Sequence, residues 1–263
     1  MSDRAESVLL AQDDGVAVLT LNRPAVLNAL DAPMSELFLA HVRAIAARDG
    51  VRAILLKGAG KGFCAGGDVS QFLAGGDIAT AIAAIMDPLH EALRVLDGLP
   101  QPTVACLHGA VAGGGLSIAL ACDLAIAAEN ARFSMAYARI GATPDLAGSF
   151  HLPRLVGLRK AKEVALLGEA LDAAEALRLD LVNRVVPSEQ VEPEALALAR
   201  RLAEGPTQAY GRVRRLLTSA AGHDLAAHLE AEQRSFAEST RTDDFREGVT
   251  AFLEKRPARF TGR

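Results

Sequence analysis

The 263 residues contain no tryptophan and two tyrosines, and aromatic side chains make up 4% of the chain. A pocket walled by bulky indoles is therefore excluded. Cysteine is also scarce: Cys64, Cys106 and Cys122 are odd in number and widely spaced, which suits neither a disulfide framework nor a metal-ligand set. A reducing, cytoplasmic setting without a bound metal is expected. No segment approaches the roughly 20 uninterrupted apolar residues of a membrane span, and the opening MSDRAESVLL has acidic residues and no apolar stretch of signal-peptide length. The chain lacks an excess of positive charge as well. Its 28 basic and 32 acidic residues leave a net charge of -4, which disfavours nonspecific binding to nucleic acid or to a membrane surface. The Arg212, Arg214, Arg215 cluster reads as a solvated helix face.

What is present is apolar and glycine-rich. Half of the residues are hydrophobic, enough for one large core. Val16–Leu21, 51–57 and Thr103–Leu107 are short, rich in branched residues and bounded by turn formers, so they read as strands. Residues 32–47 between the first two have helical spacing. This alternation argues for an α/β fold with parallel or mixed sheets. A small-residue helix at 116–121 and a strand at Leu124–Ala128 follow, then a less regular stretch through Ser149. The segments 160–167, 173–177, 189–203, 206–219, 225–237 and 243–253 are helical in spacing, and Gly205-Pro206 marks a break. The reading is a core over residues 1–200 and a helical layer over 201–263.

Two glycine clusters each follow a strand. Gly-Ala-Gly-Lys-Gly-Phe-Cys-Ala-Gly-Gly-Asp-Val begins at Gly58, and His-Gly-Ala-Val-Ala-Gly-Gly-Gly-Leu begins at His108. Glycine lets the backbone turn sharply and present bare amides, and at a helix start the first N–H groups have no internal partner. Two such loops can aim one N–H each at a single oxygen, the arrangement that stabilises an enolate or tetrahedral oxyanion. The plainer reading is that the glycines only permit tight turns. Neither loop ends in Gly-Lys-Ser/Thr, so a nucleotide triphosphatase is excluded.

Leu21-Asn-Arg-Pro, Asn28-Ala-Leu, Phe63-Cys-Ala-Gly-Gly-Asp, Gly113-Gly-Gly-Leu, Ala121-Cys-Asp and Ala251-Phe-Leu-Glu-Lys-Arg stand in this order along nearly the whole chain. With these motifs it resembles the enoyl-CoA hydratase/isomerase (crotonase) family. The resemblance implies a spiral of ββα units with a C-terminal helical trimerisation region, assembled as a trimer or dimer of trimers. It also implies an acyl-CoA thioester substrate, with coenzyme A entering only as part of that thioester and no further cofactor. By position, the oxyanion amides are those of Gly67 and Gly114. Ala65, Gly66, Asp68 and Val69 lie along the CoA, and Phe252 and Lys255 approach its adenine end, in the same or a neighbouring subunit.

Family hydratases position a water with two glutamates. At those places this chain has Ser117 and Tyr137, neither of which is a carboxylate base near neutral pH. The acidic residue nearby is Asp145, in Thr143-Pro-Asp-Leu-Ala-Gly. An aspartate here resembles the base of double-bond isomerases in the family, and Arg139-Ile-Gly-Ala-Thr-Pro-Asp with His151-Leu-Pro-Arg-Leu-Val-Gly looks closest to the epoxyphenylacetyl-CoA isomerase type. The expectation is an enoyl-CoA isomerase with Asp145 as acid/base; the plainer reading of Asp145 is a helix or turn cap.

Enoyl-CoA hydration stands beside that expectation. Aromatic-acid CoA dehalogenases of the family resemble the chain in a histidine at His90 paired with the later aspartate, so dehalogenation or thioester hydrolysis by Asp145 and His90 is a further alternative, with packing the default role for His90. A CoA- or RNA-binding member without chemistry is another. Tyr137 either orients Asp145 or lines the acyl pocket, and Ser117 either takes part or only makes room. Residues 69–87 are expected to line or cover that pocket, with Gly75-Gly76 lending mobility.

Overall fold

A computed structural model describes residues 6–72 and 77–263; the Gly75-Gly76 pair lies outside them. Val8–Asp13 (β1) and Val16–Leu21 (β2) form an antiparallel hairpin whose turn, Asp14-Gly15, takes positive φ at both residues, as a tight hairpin requires. Asp31 then accepts a hydrogen bond from Met34 N at 2.9 Å and caps Ala32–Ala46 (α1), with proline in the first turn. Ala53–Gly58 (β3), Ile78–Gly98 (α2), Thr103–Leu107 (β4), Ala110–Ala112 (β5), Gly114–Leu120 (α3), Leu124–Ala128 (β6), Arg132–Ser134 (β7) and Gly148–Leu167 (α4) follow. Leu171–Asp172 (β8), Ala173–Arg178 (α5), Arg184–Val186 (β9), Val191–Ala203 (α6), Thr207–Ser219 (α7), Leu225–Ser239 (α8) and Asp243–Glu254 (α9) complete the chain.

The larger sheet runs β1-β2-β3-β4-β6-β9, parallel except at the hairpin; the smaller runs β5-β7-β8. β3, β4 and β6 each lead into a short piece of the second layer, namely the bridge at Cys64, β5 and β7, and each piece is followed by a helix, α2, α3 or α4. This is the expected spiral of ββα units. Strand side chains alternate between two cores. Ile54, Leu56, Ala105 and Leu107 face the main core with α1 and α2, while Ala53, Leu55, Val104 and Cys106 face the alanine stripe Ala195, Ala199 and Ala203 of α6.

Several expected bounds move. The strand expected at 51–57 is displaced to Ala53–Gly58, and the helix expected from 116 begins at Gly114. The stretch left irregular through Ser149 contains β7 and the start of α4, which is interrupted at Gly157, φ 75° and ψ 157°; the helical spacing from 160 marks its second half. Arg212 and Arg214 are not solvated. Their side chains are 14% and 15% exposed, and Arg214 pairs with Asp123 at 2.6 Å. No described helix is long and apolar enough to cross a membrane.

One polar residue sits at the centre of the packing. Asn28 is fully buried at φ 56°, and its Nδ2 lies 2.9, 2.8 and 3.1 Å from the carbonyl oxygens of Ala59, Gly62 and Phe63. Its Oδ1 accepts from Arg23 N at 2.8 Å. Asn28→Ala strands these carbonyls and forces alanine into the left-handed region, so it is expected to lower unfolding stability by about 3 kcal/mol, read from urea denaturation at fixed protein concentration. Asn28→Gly relieves the backbone alone and recovers only part of that loss.

Candidate active site

The strip Phe63–Asp68 is held on both sides by backbone hydrogen bonds. On one side Ala65 N donates to Leu27 O at 2.9 Å, Leu30 N to Gly66 O at 2.8 Å and Asp68 N to Leu30 O at 2.9 Å. On the other, Cys64 N donates to Ala110 O and Ala112 N to Cys64 O, both at 2.9 Å. Gly66, at φ 97°, comes so near the second glycine cluster that a Cβ there would lie 3.0 Å from Ala112 O and 3.4 Å from Gly114 N. A Cβ on Gly115 would run into the Cys64 carbonyl. The glycines thus do more than turn the chain: they let two loops meet backbone to backbone.

Gly67 and Gly114 both line one small pocket with Asp145. Gly114 opens α3, so its N–H has no partner within the helix, and among the described residues neither amide donates to a protein acceptor. The remaining walls are aliphatic or aromatic: Leu30, Phe72, Ile85, Met86, Leu89 and Leu146.

Asp145 is half-buried in a turn where Leu146 and Ala147 both take left-handed φ, 47° and 62°, a conformation that costs roughly 1–2 kcal/mol per non-glycine residue. The turn sets the carboxylate beside Gly114; a Cβ on that glycine would lie 3.7 Å from Asp145 Oδ1. The side chain does not cap α4, whose N-cap is Ala147 with no side-chain bond. Instead Asp145 Oδ1 accepts a hydrogen bond from the Tyr137 hydroxyl. Tyr137 Oη in turn lies 3.1 Å from Oγ of the fully buried Ser117. Ser117 is also packed under Gly148, where a Cβ would collide with its Oγ.

Burial pushes the Asp145 carboxyl above its ordinary value, against the smaller opposing pulls of the Tyr137 hydroxyl and of the His90 charge. Burial, with the neighbouring Asp145 charge, raises the Tyr137 phenol too, so Tyr137 donates rather than accepts. The Cys64 thiol is pushed up to about 12 by burial and stays a packing group.

Other expected residues fall elsewhere. Asp68 is tied to Arg23 at 3.2 Å and to Ser70 at 2.6 Å, bonds that hold its carboxyl below the usual range, the Ser70 bond most. Val69 is exposed, and Ala65 and Gly66 belong to the gripped strip. His90 faces a neighbouring cavity rather than the pocket of Asp145. Phe252 and Lys255 lie on and just after α9, and Phe252, 82% exposed, lines a groove with Phe245, Val249 and Phe260; neither shares a described cavity with Gly67, Gly114 or Asp145. Among the described residues no group of three His, Cys, Asp or Glu side chains stands together as a metal set. Residues 69–87, expected to line or cover the acyl pocket, supply its walls Phe72, Ile82, Ile85 and Met86, and Leu89 extends them two residues further along α2. The stripe Ile82, Ile85, Met86, Leu89, at three- and four-residue spacing, was the available signal for that extension.

A family model described as enoyl-CoA hydratase/isomerase matches residues 11–263. A Rhodobacter capsulatus protein named "Probable enoyl-CoA hydratase" is 41% identical over 251 residues, covering 95% of this chain and 96% of the relative. The 1,2-epoxyphenylacetyl-CoA isomerase of Escherichia coli is 36% identical over 263 residues, covering 98% and 99%. The crystal structure of enoyl-CoA hydratase from Bacillus anthracis superposes with a TM-score of 0.91 at 29% identity, covering 98% of this chain and 100% of that one.

Because the fold raises the Asp145 pKa above its unfolded value, the stability that this group contributes is present below the unfolded carboxylate range and lost as pH climbs through the folded value. Asp145→Asn, which keeps an acceptor for Tyr137, is therefore expected to be more stable than the parent at neutral pH. The difference should shrink as pH falls towards about 4, measured by urea unfolding across a pH series.

Proposed function

Since the chain belongs to the enoyl-CoA hydratase/isomerase family and is an acyl-CoA enzyme of that family, we propose that it moves a double bond in an enoyl-CoA by shuttling one proton at Asp145. The observation that carries this reading is the hydrogen-bonded chain Ser117, Tyr137, Asp145. Hydroxyls stand at the two places where the family's hydratases resemble one another in glutamate, and they lead to one half-buried carboxylate in a mostly apolar pocket. Hydration needs a base to activate water and an acid to deliver a proton; isomerisation needs a single group that takes a proton and returns it.

In the proposed reaction the Asp145 carboxylate removes a proton from the α-carbon of a β,γ-enoyl thioester. The electron pair moves through the carbonyl, and the dienolate oxygen is held by the N–H groups of Gly67 and Gly114, a contribution of roughly 2.7–4 kcal/mol per donor in comparable sites. Asp145 then returns the proton at the γ-carbon, and the conjugated thioester forms. Desolvation makes the carboxylate a stronger base than in water and so suits it to this exchange. Because the Tyr137 hydroxyl donates to Asp145, it fixes the direction of the acceptor lone pairs.

The apolar side chains that α8 and α9 leave exposed, among them Phe236, Phe252 and Leu253, support assembly through residues 201–263 into a trimer or dimer of trimers. Phe252 and Lys255 would reach the CoA in that assembly.

The test is incubation of a β,γ-enoyl-CoA, and separately of crotonyl-CoA, in deuterated water with products followed by mass spectrometry. Migration of the double bond into conjugation, reduced roughly 10²–10⁴-fold in Asp145→Asn, is expected. Hydration of crotonyl-CoA, or an unimpaired variant, would overturn the assignment. In Tyr137→Phe a group that lowers the Asp145 pKa is gone, so the acidic limb of the kcat/KM profile, where the carboxylate must be ionised to act as base, should move to higher pH.

A further inference from the structure

Ile82, Ile85, Met86 and Leu89 of α2 face the pocket of Asp145, and the same stripe continues one turn further on. His90, Leu93, Arg94 and Asp97 face a second cavity, of about 300 Å³ against about 30 Å³ for the first. Eight residues at the helical rise put the two centres about 12 Å apart along α2.

Neighbouring positions of the same elements line the two cavities in pairs. Leu89 and His90, Leu146 and Ala147, and Gly114 and Ile118 form three such pairs, the first of each facing the small pocket and the second the large one. The larger cavity is mostly apolar, walled by Leu56, Leu93, Leu96, Ile118 and Cys122. Two imidazoles enter it, His90 and His151, both half-buried and without a hydrogen-bond partner among the described residues. Its guanidinium groups are already engaged: Arg214 with Asp123 and the carbonyls of Leu99 and Gln101, and Arg94 with Glu91.

We propose that this second cavity seats the distal end of the acyl group and that His90 and His151 hydrogen-bond to an oxygen carried there. The substrate class is then a thioester with an oxygenated chain or ring several carbons beyond the reacting double bond. A plain alkyl tail would cover both imidazoles without satisfying either, whereas an oxygen gives them a partner. The inference rests on the acyl-CoA reading of the first pocket. It does not depend on which reaction Asp145 performs.

The test is calorimetric titration of the full-length protein with three saturated thioesters that cannot isomerise: butyryl-CoA, decanoyl-CoA and 10-hydroxydecanoyl-CoA. Affinity is expected to rise in that order, with the hydroxyl giving about fivefold. Leu93→Trp, which fills the cavity, should weaken both ten-carbon ligands about tenfold and leave butyryl-CoA unchanged, the latter showing that the variant is folded. His90→Phe and His151→Phe should each reduce the hydroxyl preference while decanoyl-CoA binds as before. Equal affinity for butyryl- and decanoyl-CoA, or equal losses for both in Leu93→Trp, would overturn the cavity assignment. A hydroxyl preference intact in both histidine variants would overturn their role. Failure of all three thioesters to bind would overturn this inference together with the acyl-CoA reading, whereas the expected affinities without double-bond migration would overturn only the isomerase.

Discussion

Much of the site's geometry depends on the grip that two neighbouring segments exert on the strip Phe63–Asp68. The segment at Leu27–Leu30 and the short β5 each exchange backbone hydrogen bonds with it, so its position is fixed by main chain rather than by side-chain packing. That is why glycine stands at Gly66 and Gly115: a Cβ on Gly115 would run into the Cys64 carbonyl, and one on Gly66 would crowd Ala112 O at a φ of 97° that other side chains rarely adopt. Asn28 and Arg23 reinforce the same grip from the polar side. Asn28 reaches the carbonyls of Ala59 and Gly62 before the strip and that of Phe63 at its start, and Arg23 joins Asp31 to Asp68 at 3.0 and 3.2 Å. Partly buried ion pairs of this kind add little stability by themselves, but here they tie the start of α1 to the end of the strip.

The opposite wall is built by a different economy. Leu146 and Ala147 hold left-handed backbone without being glycine, and Asp145 is kept in a place that raises its pKa. Both features cost stability. They persist because Leu146 is buried among pocket side chains and because Tyr137 and Ser117 supply a continuous run of hydrogen bonds behind the carboxylate. Strain and desolvation concentrated at one residue are what a reactive group requires. The gripped strip, by contrast, pairs the amides of Cys64, Ala65 and Asp68 with neighbouring main chain and leaves that of Gly67 without a protein acceptor among the described residues. One side of the pocket is rigid and the other is under tension.

The parts legible in the sequence are those with a period or a composition of their own. β2, β4 and β6 have branched or small residues in runs bounded by turn formers, and the C-terminal helices have caps and breaks. β5, β7, β8 and β9 are two or three residues long. Segments so short show no alternation, and partners far along the chain decide that they pair. The glycine clusters were visible as candidate amide donors. Their mutual approach was one of two readings that no local pattern decides, because Gly66 and Gly114 are brought together by β5. The link from Ser117 to Tyr137 to Asp145 likewise spans separations of 20 and 8 residues with no periodic signal, and left-handed alanine and leucine run against propensity. The walls on α2 were legible in principle, as a stripe in a helix, and became a pocket only when Gly67 and Gly114 were set opposite them.

The scarcity of aromatic side chains bears on selectivity. Aliphatic walls discriminate weakly between ligands, since one methylene more or less is worth only roughly 1–3 kcal/mol. A site whose polar groups must be satisfied rejects the wrong ligand far more strongly, because the mismatch leaves a desolvated donor or acceptor without a partner. With Phe72 the aromatic wall of the small pocket and Phe150 that of the larger cavity, shape alone gives α2 little to select by. On the proposed reading, discrimination falls to the few polar groups along the path of the acyl chain: two amides at the carbonyl, a carboxylate at the reacting carbons and two imidazoles beyond. The helix carries the chain from one to the next, and each group acts only on a substrate long enough to reach it.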